Sequence, residues 1–392
     1  MRLAIVLTET DSTTVTGTDG VAELVVPPAR LSSELAAVGH DVTVYLPSPG
    51  RAPGSEVISA QGYRVVRVPS GGTRRKQSDD LGVFSRNLQQ AWGEERPDVV
   101  HAQSWLSGMA AQLAARSHGL PVVQSFDDIA VTDRRTGAGD AGQGRKLVSL
   151  LARRANWVAA NNNDELFELL RMGCVRSRIS VVPFGVDSEV FTPPGEAAQR
   201  SGLQHRIVAV WASTGRLGVD TAVKALAALP DTELVLALDA TSAGAREVSA
   251  ELLQAAGVVG VSDRVTIADV RAATDLAALL RSADVCVCPA VTEPTGAAAL
   301  MAMSCGVPVV ATAVGALGDI VVDEVTGRLV PPGNVVRFAE ATRRLLHEPF
   351  AGRGMGAAGR DRARSRYSWD RVAGDAARAY NGALGAVGVV SA

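Results

Sequence analysis

The chain has 392 residues, 47% of them hydrophobic and 20% charged, with a formal net charge of −2. That length suits two domains rather than one core, and the composition excludes disorder. The longest basic block is Arg74-Arg75-Lys76, which makes nucleic acid an unsuitable partner.

In chain order, "MRLAIVL" is too short for a signal peptide or a membrane span and reads as a first buried strand. Further apolar runs follow at 41–46, 64–68, 98–101, 122–125, 157–160 and 179–182. Helical patterns lie between them at 29–38, 81–92, 107–118, 144–154 and 164–172. Such alternation predicts a parallel sheet covered on both faces. A Pro/Gly-rich break, "FTPPGEAAQRSG" at 191–202, interrupts the series. It restarts with strand runs at 207–210, 234–238, 265–267, 285–288, 309–311 and 327–330, and helical runs at 221–229, 245–256, 274–282, 297–304 and 335–347. The predicted organisation is an N-terminal Rossmann-like domain at 1–185, a linker at 186–203, and a second Rossmann-like domain at 204–366. A C-terminal helical segment at 367–392 is expected to return to the first domain. The fold class is α/β with two doubly wound sheets. The four cysteines form no CxxC pair and read as buried thiols; with no metal-ligand spacing, no metal is expected, and a reduced cytoplasm fits.

Several stretches together resemble the retaining glycosyltransferases of family four. They are "RPDVVHAQSWLSGMAAQLAAR" (96–116), "SRISVVPFGVDSEVFTP" (177–193), "GVDTAVKALAALPDTELV" (218–235), "LLRSADVCVCPAVTEPTGAAALMAMSCGVPVVATAVG" (279–315) and "VTGRLVPP" (325–332). The resemblance covers nearly the whole chain. It implies a GT-B fold, with two Rossmann-like domains facing across a cleft. It also implies transfer of a sugar from a nucleotide diphosphate donor, with no other cofactor required. Fold alone does not carry function, so each site position is read separately.

Family members place two glutamates eight residues apart, which returns both to nearly the same helix face. The first, for the sugar hydroxyls, is Glu293 in "TEPTG", followed by Gly296; the second, for the ribose, is Met301. A thioether cannot accept the ribose hydrogen bonds. The Arg and Lys that neutralise the diphosphate fall, counting back from Gly218, on Ala212 and Leu217. Each lost charge-assisted hydrogen bond is worth roughly 1.5–3 kcal/mol, so both together cost about two to four decades in affinity. Arg216 is the candidate substitute cation. In the first domain, the glycine pair that approaches the diphosphate falls on Ala22 and Glu23, leaving Gly20 as a turn candidate. The helix behind is expected to start late, near Pro28. The active-site histidine is replaced by Asp127, a candidate altered acid/base or a turn residue. His101 reads as a satisfied strand-end histidine.

Two functions follow. One is a catalytically inactive homologue, a pseudo-glycosyltransferase that binds a sugar or other small molecule or pairs with an intact family-four enzyme. The other is an active transferase with a rebuilt donor site. The losses fall on polar donor contacts while the scaffold motifs persist, which favours the first.

Overall fold

The structure, a computed structural model, describes residues 1–7, 27–49, 55–71, 77–126, 141–211, 216–239 and 244–390. These form two compact units. The first comprises the described residues up to Val182 together with those from Val372 onward; the second is Pro183–Arg371.

The first unit is built on an eight-stranded sheet. In chain order the strands are β1 (Arg2–Val6), β2 (Asp41–Pro49), β3 (Glu56–Ile58), β4 (Arg64–Gly71), β5 (Val99–Ala102), β6 (Val122–Gln124), β7 (Trp157–Ala160) and β8 (Ile179–Val181). Their spatial order is β3-β4-β2-β1-β5-β6-β7-β8. Every pairing is parallel except β3 on β4. The helices are α1 (Pro27–Ala37), α2 (Gln77–Glu94), α3 (Trp105–His118), α4 (Ala141–Arg154) and α5 (Asn163–Arg171). The doubly wound expectation is borne out, and α1 starts at the first of the two prolines, where a missing N–H costs nothing. The antiparallel edge strand β3 has no counterpart in the sequence reading, because its three exposed residues carry no buried-strand pattern.

Local chemistry explains how the strand ends are organised. Strand β5 is buried at all four residues, as a parallel strand covered on both faces must be. Ser104 then caps α3 in a reciprocal box with Ser107, and Gly119 closes the helix at φ +60°. The Gln124 amide donates to the carbonyls of Ala102, Ser104 and Ser125, binding the carboxyl ends of β5 and β6 together. Gly108 is required there, since a Cβ would strike the Gln124 side chain.

The second unit has a six-stranded parallel sheet. Its strands are β9 (His205–Val210), β11 (Thr232–Leu238), β12 (Val265–Asp269), β13 (Val285–Cys288), β15 (Val309–Thr312) and β16 (Gly327–Val330), in the order β12-β11-β9-β13-β15-β16. Two short strands, β10 (Arg216–Leu217) and β14 (Ala290–Thr292), pair antiparallel beside it. The helices are α6 (Val219–Ala227), α7 (Ala245–Val259), α8 (Ala273–Arg281), α9 (Ala297–Ser304), α10 (Ala316–Ile320), α11 (Val335–His347) and α12 (Pro349–Tyr367). A last helix, α13 (Trp369–Val390), begins in this unit and contributes its residues from Val372 on to the first.

At the amino ends of β9 and β11 the sheet buries an ion pair, Arg206 Nε to Glu233 Oε1 at 2.8 Å. The remaining guanidinium donors reach the Ser282 hydroxyl and the Gln199 carbonyl, so the buried charge is compensated on every side.

Candidate functional site

In an open α/β sheet the carboxyl ends of the strands are where ligands bind. In the second unit Arg216, Glu293 and Gly296, singled out by sequence, lie beside these ends. Strand β13 runs into Pro289 and β14, then a turn at Glu293–Gly296 delivers the chain to α9. Gly296 is the N-cap at φ +69°, a conformation side chains rarely adopt, and a Cβ there would collide with Ile320.

Glu293 is half-buried, and its Oε1 is already occupied. It accepts from the Thr295 N–H at 3.1 Å, the Thr295 hydroxyl at 3.0 Å and the Gly296 N–H at 2.9 Å. The carboxylate therefore sits at the positive end of α9 and satisfies the first of the unpaired donors that any helix leaves there. The Ala297 N–H has a long bond to the Thr295 hydroxyl, 3.4 Å. The N–H groups of Ala298 and Ala299, also in the first turn, complete the four donors that a helix leaves without an intrahelical partner at this end.

The backbone of the turn is pinned from the other side. Glu293 C=O accepts from Ala316 N at 2.9 Å, at the start of α10. Gly315 has φ +50°, and a Cβ on it would collide with the Glu293 carbonyl oxygen. At the far end of α10, Arg362 donates to the carbonyls of Asp319 and Ile320, and the Tyr367 hydroxyl donates to Asp319. Neither Gly315 nor this clamp was signalled by a recognisable pattern in the sequence; both depend on contacts between residues twenty to fifty positions apart.

Met301 lies eight residues after Glu293 and is 2% exposed. All eight residues of α9 are buried, and none is charged. The sulfur-rich underside of the helix continues into Cys286, Cys288 and Cys305, all buried free thiols. A hydrogen bond with Cys286, together with burial, holds the Cys288 thiol well above its usual range, and burial pushes Cys305 up to about 12. These thiols belong to the core.

Strand β10 brings the backbone of Arg216 directly opposite Thr292, one residue before Glu293, while Leu217 faces Ala290. The Gly218 N–H donates to the Pro289 carbonyl at 2.9 Å, fixing the same approach. Arg216 and Glu293 are thus neighbours along the fold although 77 positions separate them in sequence. Ala212, Asp127 and Gly20 lie outside the described residues. Asp269, at the end of β12, is paired with Arg271 at 2.8 Å.

In the first unit, His101 is 4% exposed at the end of β5. Its Nδ1 lies 2.9 Å from the Tyr380 hydroxyl and its Nε2 3.0 Å from the Ser125 hydroxyl. Both ring nitrogens are engaged, and burial pushes the imidazole down to about 4, so it stays neutral at physiological pH. Among the described residues there is no cluster of metal-ligating side chains, and no helix is long and apolar enough to cross a membrane.

Comparison with known proteins assigns the architecture. Residues 26–185 match the "Glycosyl transferase 4-like domain" and residues 205–348 match "Glycosyl transferases group 1". A D-inositol 3-phosphate glycosyltransferase from Xylanimonas cellulosilytica is 32% identical over 95% of this chain and 94% of its own length. The chain belongs to glycosyltransferase family four. A second D-inositol 3-phosphate glycosyltransferase, from Mycobacterium tuberculosis, is 29% identical over 98% of this chain and 84% of its own. Among solved structures, sucrose-phosphate synthase from Thermosynechococcus elongatus superposes with a TM-score of 0.81 at 24% identity, covering 97% of this chain and 98% of that one. Anabaena HepE in complex with UDP and glucose gives 0.73 at 19%, over 96% and 98%. The fold of this family-four chain is GT-B, with two Rossmann-like domains.

Proposed function

We propose that this family-four chain is a pseudo-glycosyltransferase: a GT-B scaffold whose donor site no longer holds a nucleotide diphosphate sugar tightly enough for transfer, and which serves as a binding or partner module. The observation that carries this reading is helix α9. Where the family's second glutamate would accept the ribose hydroxyls, this chain has the thioether of a methionine that is 2% exposed. The surviving carboxylate of Glu293 commits its Oε1 to the Thr295 and Gly296 N–H groups at the start of its own helix, which sets an anion beside the donors a phosphate would use. The substitutions at Ala212, Leu217 and Asp127 act in the same direction. Removing one preorganised charge-stabilising group commonly costs about 10²–10³ in turnover, and here several are gone together.

A second reading rests on one specific observation. The β10–β14 pairing puts the Arg216 backbone opposite Thr292, beside the Glu293 turn. In that reading Arg216 takes over the diphosphate, and the chain is an active retaining transferase with a rebuilt donor site.

Thermal unfolding with UDP, GDP, ADP and their sugars separates the two. A ligand at a hundred times its dissociation constant stabilises the protein by about 2.7 kcal/mol. The pseudoenzyme reading predicts no shift at millimolar ligand. A shift that disappears in Arg216→Gln would establish the rebuilt site instead. Co-purification of an intact family-four enzyme tests the partner role, and two species eluting separately would count against it.

A further inference from the structure

A cleft lies wholly within the first unit, at the amino ends of strands β7 and β8. It is open to the surface and has a volume of about 230 Å³. It sits where α4 ends and where the chain enters β7 and β8, so Val158 and Ile179, cross-strand partners, form part of its wall. Its apolar side is completed by Ala152, while its polar side is made by Arg153, Arg178 and the half-buried Cys174.

The two arginines stand apart from the other cations of this region. Arg145 and Arg171 both pair with Glu168, and Arg176 donates to the Ile179 carbonyl. The guanidinium groups of Arg153 and Arg178 have no hydrogen bond or ion pair among the described residues, and no carboxylate lines the cleft. The cleft therefore carries two uncompensated positive charges over a small apolar floor. Arg153 is near enough to Cys174 to oppose electrostatically the effect of burial on that thiol.

We propose that this cleft is a binding site for a small dianion, a phosphomonoester with a short organic portion, held between Arg153 and Arg178. Two guanidinium groups match the charge and fork geometry of a phosphate. The volume lies below the range usual for drug-sized ligands and suits a sugar phosphate rather than a nucleotide. The site is at the amino ends of the strands, the end opposite to the one where open α/β sheets bind their ligands. The inference does not depend on whether the donor site is functional.

Cys174 supplies the assay, since the other three thiols are buried. Its reaction rate is measured with a dianionic disulfide, 5,5′-dithiobis(2-nitrobenzoate), and with neutral 2,2′-dithiodipyridine, Cys174→Ser identifying the reporting thiol. Inorganic phosphate and ribose 5-phosphate are expected to slow the neutral reagent saturably in the millimolar range or below, ribose 5-phosphate more strongly. Arg153→Gln and Arg178→Gln, both exposed side chains whose loss leaves the core intact, are each expected to weaken that protection about tenfold or more. They are also expected to lower the ratio of dianionic to neutral rates. Protection absent at about 10 mM of both ligands, or unchanged in the two variants, overturns the proposal. Protection by inorganic phosphate alone, with ribose 5-phosphate inactive, refutes the sugar-phosphate assignment.

Discussion

Acidification is expected to weaken the first unit, most of all through His101, the most deeply buried of its down-shifted groups. Its imidazole is buried, bridged between Tyr380 and Ser125, and held down to about 4, against 6.5 for the free side chain. The folded value is the lower one, so between these limits the unfolded chain binds a proton that the native state refuses. Stability from this source is complete above about pH 6.5, falls as pH drops toward 4, and levels off below it. The loss relative to neutral pH is about 1.4 kcal/mol at about pH 5.5 and about 2.5 kcal/mol at about pH 4.5. The assay is hydrogen exchange of the β5 and β6 amides as a function of pH, in the parent and in His101→Asn. The variant loses hydrogen bonds and is less stable at neutral pH, but it lacks the titration, so the gap between the two should close on acidification. Curves that remain parallel from about pH 7.5 to 4.5 would refute the assignment, because a merely structural defect costs the same at every pH.

Three further outcomes follow from the packing. Arg206→Met or Glu233→Gln alone leaves a buried charge uncompensated and should cost about 3–5 kcal/mol in denaturant unfolding, whereas replacing both by apolar residues should cost far less. Tyr380→Phe should destabilise by about 1–3 kcal/mol by stripping His101 Nδ1 of its partner, and at neutral pH Ser125→Ala should do the same through Nε2. Gly315→Ala should lower the melting temperature and displace the Glu293 turn, visible in crystal structures as a shift of the Glu293 carbonyl, because the added Cβ meets backbone that cannot swing aside.

Much of the fold was legible because parallel sheets write themselves as continuous apolar runs separated by amphipathic helices. Runs such as 285–288 and 327–330 coincide with β13 and β16 residue for residue. What escaped has identifiable causes. Helix α12 contains Gly352, Gly354, Gly356 and Gly359, which dilute any helical pattern. At two of them the glycine is a packing requirement: a Cβ at Gly356 would collide with the Gly306 carbonyl, and one at Gly359 would press on Met303. Glycine lets α12 lie close against α9, and that reason is invisible one strand of text at a time. The two-residue strand β10 is likewise too short to carry a period, and its partner lies more than seventy residues away. In the candidate site the residue identities could be read, but not their engagements. Nothing in "TEPTG" says that the glutamate closes back on its own helix, or that Arg216 is brought opposite Thr292.

The central claim is electrostatic: this chain no longer gathers enough cationic and donor groups to grip a pyrophosphate. Titration calorimetry with UDP and GDP tests it most directly. The account predicts no saturable heat below about 1 mM, and unchanged isotherms for Arg216→Gln. A micromolar dissociation constant that Arg216→Gln raises tenfold or more would contradict it.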